Sequence, residues 1–165
     1  MPVQRLNHAV LYVRDVDRSV AFYTDTLGFR AVNAMPGRAA FLQAAGSAND
    51  HDLALFAIGT AAGDSTAGRA TVGLYHLAWE VDTLTELRRL ADVLREHGAL
   101  VGASDHGTTK ALYAHDPDGL EFEVCWLVPA DRIPADVAVT TAPLDLEAEI
   151  ARYGATTLGG VGVSS

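Results

Sequence analysis

At 165 residues, 49% hydrophobic and 20% charged, this chain can bury a substantial core, as one compact unit or as two small modules sharing one. Its formal net charge of −9 argues against nucleic acid or an anionic membrane as a partner, because a phosphate-binding surface needs clustered Lys and Arg. Cys125 is the single cysteine, so no intrachain disulfide forms; no apolar run reaches the ~20 residues of a membrane span, MPVQRLNH lacks a signal-peptide core, and a cytoplasmic protein is expected.

In chain order, LNHAVLYV (6–13) is short, apolar and rich in branched residues, and reads as a strand carrying His8. A helix follows, with Asp15 or Asp17 near its start, a stripe of Val16, Val20, Tyr23 and Leu27, and Gly28 at its end. Strands are expected at 39–43 and 52–58. GTAAGDSTAGRATVG, 59–73, has the composition of a linker. LYHLAWEV (74–81) is again a strand, carrying His76. The next helix has a capping-box pattern, Thr83 with Glu86, and a stripe of Leu84, Leu87, Leu90, Ala91 and Leu94 that ends at Gly98. Strands are expected at 100–103, 110–114 and 120–127, the last carrying Glu123 after the turn Asp116-Pro117-Asp118-Gly119. The tail from about 129 holds a short helix, 145–153, and a Gly/Ser-rich end expected to be mobile.

The chain also reads as a repeat of itself. Residues 6–28 and 74–98 each begin Leu-x-His, continue as an apolar strand ending in Val, turn at an Asp, and enter a helix that stops at Gly. His8 and His76 are 68 residues apart, and so are Val13 and Val81. One strand–helix–three-strand module used twice accounts for this. The expected organisation is one domain, 1–165: module one at about 5–58, the linker 59–73, module two at about 74–128, and a C-terminal extension, 129–165.

His8, His76 and Glu123 are the residue types a mononuclear iron site needs. Two neutral imidazoles and a carboxylate on one face of a divalent ion leave the opposite positions open, the facial triad of non-haem Fe(II) oxygenases. A carboxylate between Phe122, Val124 and Trp126 is costly to bury unless it is paired or metal-bound. The plainer alternatives are a hydrogen-bonded core histidine in each strand and an exposed Glu123 face, which Glu121 permits. His97, at a helix end, complements the dipole. His115 is expected to be exposed, and Asp116 and Asp118 to make the turn. Cys125, Trp79 and Trp126 are expected to pack in the core.

Over residues 5–128 the chain resembles the vicinal oxygen chelate superfamily, which covers glyoxalase I, bleomycin-resistance proteins and extradiol ring-cleaving dioxygenases. DPDGLEFEV looks like its closing turn and strand, with the metal-binding Glu four residues after Gly119, although Leu120 stands where Asn is usual. The resemblance implies an α+β fold, two paired βαβββ modules forming a cup-shaped mixed sheet around a metal site. Within the superfamily the chain is most similar to small one-domain extradiol catechol dioxygenases. HDLALF (51–56) resembles the segment with the acid–base histidine, giving His51 that role. SDHGTTKALYAHDPDG (104–119) resembles the segment in which His106 and Tyr113 would hydrogen-bond the substrate. The implied activity is cleavage of a catechol-type diol with O2, on Fe(II) or, with the same ligands, Mn(II); a homodimer fits this family. A glyoxalase-type enzyme would want a carboxylate from each module, and near Leu55 there is none. An aromatic-ligand-binding resistance protein is the non-enzymatic alternative.

Overall fold

In the computed structural model, which describes residues 2–138 and 140–160, both main helices begin at the expected caps. Asp15 accepts the Arg18 N–H at 3.0 Å and starts α1 (Val16–Leu27); Thr83 accepts the Glu86 N–H at 3.3 Å and starts α2 (Leu84–Glu96). The second arm of the capping box is replaced: the Glu86 carboxylate is held by Arg89. All five residues of the α2 stripe are buried. The buried face of α1 is instead Val16, Ser19, Tyr23 and Thr26, rotated from the expected Val16, Val20, Tyr23 and Leu27. Thr26 tolerates burial by returning its hydroxyl to the Phe22 carbonyl at 2.6 Å.

The architecture is α+β, with a four-stranded and a five-stranded mixed sheet and three α-helices among the described residues. Unit one comprises Met1–Ser65 together with Asp116–Gly119. Its strands are β1 (Ala9–Val13), β2 (Arg30–Met35), β3 (Ala39–Gln43) and β4 (Leu53–Ala57), in the order β1-β4-β3-β2. β1 and β4 run parallel, the other neighbours antiparallel. α1 covers one face, and the core is built from Leu11, Val13, Tyr23, Leu42, Leu53 and Leu55.

The turn Asp116–Gly119 is held within unit one. Asp116 accepts the Asp118 N–H through its side chain at 2.9 Å and the Gly119 N–H through its carbonyl at 3.0 Å, while Gly119 takes φ +82°. Beyond making the turn, Asp116 accepts from the buried Tyr23 hydroxyl at 3.2 Å, and Asp118 takes both the Arg14 N–H and its guanidinium at 3.0 Å. Burial, then the Asp116 charge, pushes the Tyr23 phenol well above its ordinary range.

Unit two comprises Thr66–His115 and Leu120–Ser165. Its strands are β5 (Leu77–Glu80), β6 (Leu100–Asp105), β7 (Thr109–His115), β8 (Glu121–Leu127) and a short β9 (Ala142–Pro143), in the order β5-β8-β7-β6-β9. β5 and β8 are parallel, so the second unit repeats the first's strand order and adds β9. α2 lies on this sheet, and α3 (Leu146–Tyr153) packs on α2. The expected mobile end falls outside the described residues from 161 onward. No helix among the described residues is long and apolar enough to cross a membrane.

The C-terminal extension is fastened by a buried cation. Lys110 on β7 is fully buried; its ammonium lies 2.5 Å from Asp105 and 2.9 Å from Glu149 of α3. Trp126, also fully buried, donates its indole N–H to the Thr157 carbonyl at 3.2 Å, and Arg132 donates to the Tyr153 carbonyl at 2.7 Å. Burial works to raise the Asp105 carboxyl, but the Lys110 hydrogen bond and charge and the Gly107 N–H outweigh it and hold it below its usual value.

Lys110→Met leaves two acids facing an apolar side chain, and should cost on the order of 3–5 kcal/mol in urea unfolding. An unchanged midpoint would refute that role. Asp105 has a depressed folded pKa. Its contribution is therefore present above the ordinary carboxylate value and is lost as pH falls through the folded value. The stability gap between wild type and Asp105→Asn should be full at pH 7 and shrink below about pH 4.

Candidate functional site

The register of β5, β8 and β7 lines up the chemistry of unit two. Ala78 pairs with Glu123, and Glu123 pairs with Tyr113 on the other side. His76 stands just before β5, two residues from Ala78, so it shares a face with Glu123 and neighbours Glu121. His76 Nε2 lies 3.1 Å from Glu123 Oε2, and its Nδ1 lies 3.7 Å from Glu121 Oε1. The His76 and Tyr113 rings have centroids 5.7 Å apart. Tyr113 Oη lies 2.9 Å from His106 Nε2 at the β6–β7 hairpin. His76, Glu123, Tyr113 and His106 thus form one continuous row.

The row is sparing with water and rich in carboxylate. Glu123 is buried. Burial, followed by the Glu123 charge, pushes the Tyr113 phenol up to about 12; the same two causes push the Cys125 thiol up to about 12. The neighbouring Tyr75 phenol is raised chiefly by the Glu121 charge. His76 Nδ1 and Glu121 Oε1 are buried atoms without a hydrogen bond among the described residues, and they face one another. In sequence Glu121 only permitted the alternative of an exposed Glu123 face; in the structure it stands between His76 and His115, whose Nε2 is 3.7 Å from Glu121 Oε2. The signal available in sequence was the Glu-x-Glu spacing, which puts both carboxylates on one side of a strand.

In unit one, His8 stands just before β1 and His51 just before β4. Their rings have centroids 4.5 Å apart, and Phe41 meets His51 edge-on at 5.2 Å. His51 is largely buried; its backbone N–H donates to Asp50 at 3.0 Å, and its Nδ1 lies 3.2 Å from the same carboxylate. The Asp50 carboxyl is held below its usual range, first by that backbone N–H. Asn49 and Asp52 brace the loop: the Asn49 amide donates to Asp52 at 2.7 Å and to the Asn7 carbonyl at 2.9 Å. His8 and His51 are therefore set beside each other by the parallel β1–β4 pair, as His76 and Glu123 are by β5–β8.

Two donors about 2.1 Å from one ion at a right angle stand about 3.0 Å apart, so the 3.1 Å between His76 Nε2 and Glu123 Oε2 suits neighbouring ligands of a divalent metal. Among the described residues no group of three His, Cys, Asp or Glu is gathered into a complete ligand set. The pair is a partial set, of nitrogen and carboxylate donors that suit Fe(II), Mn(II) or Zn(II). Of the other polar residues, His97 returns its Nδ1 to the Val93 carbonyl at 2.9 Å, a helix-end contact, and His115 is exposed.

Comparison with known proteins agrees with this architecture. The chain is 28% identical over 153 residues to a catechol-2,3-dioxygenase of Bacillus subtilis (strain 168), covering 90% of this chain and 52% of that protein. It is 28% identical over 155 residues to metapyrocatechase 2 of Cupriavidus necator, covering 92% of this chain and 44% of that protein. The chain thus spans about half the length of these curated relatives. A solved glyoxylase/bleomycin resistance protein/dioxygenase domain from Frankia sp. EAN1pec superposes with a TM-score of 0.63 at 23% identity, covering 75% of this chain and 92% of that one; it shares the fold. The sequence profile of the glyoxalase/bleomycin resistance protein/dioxygenase superfamily matches residues 5–124, and the chain belongs to that superfamily.

Proposed function

We propose that this chain is an extradiol ring-cleaving dioxygenase that acts on a catechol-type diol with O2, with His8, His76 and Glu123 holding Fe(II). Mn(II) suits the same ligands. The observation that carries the reading is the His76–Glu123 pair at 3.1 Å, with Tyr113 and His106 in line beside it. The resemblance of most of the chain to two catechol-cleaving proteins supports the substrate class.

When bound, the metal would lower the pKa of a coordinated hydroxyl and bring diol and O2 to adjacent positions. The protein's own groups do the rest. Tyr113 keeps its phenolic proton at neutral pH, so it serves as a hydrogen-bonding group and not as an anion. His106 partners Tyr113 at 2.9 Å and acts on the substrate oxygens through it. His51 is largely withdrawn from water and oriented by Asp50, as a proton-handling imidazole requires. A cytoplasmic setting and a homodimer belong to the same reading.

The register weighs against the glyoxalase reading. Val10 pairs with Ala54 in unit one just as Ala78 pairs with Glu123 in unit two. The place of the second carboxylate ligand is therefore held by Ala54, which cannot bind a metal.

Single Ala substitutions at His8, His76 and Glu123 should each remove most of the metal from protein loaded anaerobically with Fe(II), leaving circular dichroism unchanged. Stoichiometric iron in all three variants would overturn the ligand assignment. O2 uptake with catechols, read with an oxygen electrode, tests the activity: tight binding of a planar aromatic after chelation, with no uptake when Fe(II) is restored, would favour a resistance-type binding protein.

His51→Gln should keep its iron and its catechol affinity yet lose turnover by roughly 10²–10⁴-fold, the usual worth of general acid–base help. Unchanged turnover would make His51 a bystander, and loss of iron would make it a ligand.

A further inference from the structure

The C-terminal extension crosses the hairpin that carries His106. The Thr140 backbone carbonyl lies 2.8 Å from His106 Nδ1, and the Thr141 hydroxyl lies 3.5 Å from the same nitrogen. Val137 and Ala138 run over Gly107 so closely that a Cβ there would stand 2.9 Å from the Ala138 oxygen and 3.0 Å from Val137 Cγ2. Two residues past Thr140, Ala142 and Pro143 join the sheet as β9 beside Asp105 and Ser104. From the other side Asp105 accepts the Gly107 N–H at 2.7 Å and holds Lys110, which also grips Glu149 of α3. The strap is fastened at both ends of the loop it crosses.

A carbonyl oxygen can only accept a hydrogen bond, so Thr140 calls for a proton on His106 Nδ1. In a neutral imidazole that leaves Nε2 as an acceptor. Nε2 lies 2.9 Å from Tyr113 Oη and can then accept from the phenol, with the Glu123 carboxylate as the other acceptor beside it. A phenol has one proton. The Nδ1–H tautomer offers that proton a nitrogen acceptor as well as the Glu123 carboxylate.

We propose that the C-terminal extension is a positioning element of the site: the Thr140 carbonyl fixes His106 as its Nδ1–H tautomer and so turns the Nε2 lone pair toward the Tyr113 hydroxyl. Resting on the extradiol reading, this holds the ring that partners Tyr113 in one orientation beside the proposed substrate position. The tautomer itself depends on no metal and no substrate.

The test is long-range 15N–1H correlation of the full-length chain labelled at histidine, above the pH at which the imidazoles titrate, with His106 assigned by the signal missing in His106→Asn. The expected spectrum gives a protonated Nδ1 and an unprotonated Nε2. A His106 found as the Nε2–H tautomer overturns the proposal. Replacing Thr141 by its α-hydroxy acid in semisynthetic full-length protein turns the Thr140 carbonyl into an ester carbonyl, a much weaker acceptor, and leaves the chain length unchanged. The expected result is a shift toward the Nε2–H form that free histidine side chains favour; an Nδ1–H form that persists overturns the role of Thr140. Wild-type protein with Nδ1–H His106 and no O2 uptake from any catechol would refute the extradiol reading and leave the strap's role standing.

Discussion

The parallel pairing of β5 with β8 is the constraint on which the site in unit two depends. Parallel neighbours carry their side chains in step, so one register decides which residues meet across the strands. With Ala78 opposite Glu123, His76 falls beside Glu121 and within 3.1 Å of Glu123, and antiparallel β7 adds Tyr113 on the far side. A one-residue slip of β8 would turn Glu123 to the other face and put Phe122 or Val124 in its place. The apolar core resists that slip, because Phe122, Val124 and Trp126 are all buried and would have to exchange with a carboxylate. The hydrophobic pattern of β8 thus holds its acids in place.

Two carboxylates, Glu121 and Glu123, act on that face together with burial. Glu123 contributes to the raised Tyr113 phenol and Cys125 thiol, and Glu121 is the main cause at Tyr75. Burial is the larger cause at Tyr113 and Cys125, with the Glu123 charge second, while at Tyr75 the Glu121 charge leads. The buried cation of this unit, Lys110, offers no relief there, because it is occupied by Asp105 and Glu149. Buried charge of one sign, set against an imidazole whose Nδ1 also faces a carboxylate, is the environment in which a divalent cation finds its binding energy. The same arrangement keeps the thiol and the phenols protonated and removes them from the list of nucleophiles.

How much of this could be read in the sequence follows burial. The α2 stripe was legible because every position that faces the core is Leu or Ala, and all five are buried. In α1, Ser19 and Thr26 take two of the four buried positions, so hydrophobicity alone turned the helix face by one residue. β2 had no signal of its own, since all six of its residues are exposed and RAVNAM does not alternate; only the repeat argued for a third strand there. Register supplied the two strand neighbours that sequence could pair only loosely, setting Ala54 where the expectation fell near Leu55. Thr140 left no trace in the sequence, because its contribution is a backbone carbonyl that any residue type would offer.

The repeat is a scaffold whose two copies carry different donors. Matching the two parallel pairs by register puts Ala54 in the place of Glu123, Asp52 in that of Glu121, and His51 in that of Leu120. Unit one has no carboxylate at that place in the strand and has an imidazole in the loop before it, next to His8 at 4.5 Å between rings. Asp52, the counterpart of Glu121, is spent on bracing that loop through Asn49, Ser47 and the Ala44 N–H. Unit two has kept both carboxylates on the strand and draws its second imidazole from the next hairpin, where a C-terminal strap with no counterpart in unit one orients it. Here one half carries an acidic row backed by a phenol, and the other a pair of imidazoles oriented by Asn7 and Asp50. The two units share a strand order and differ in the side chains set on it.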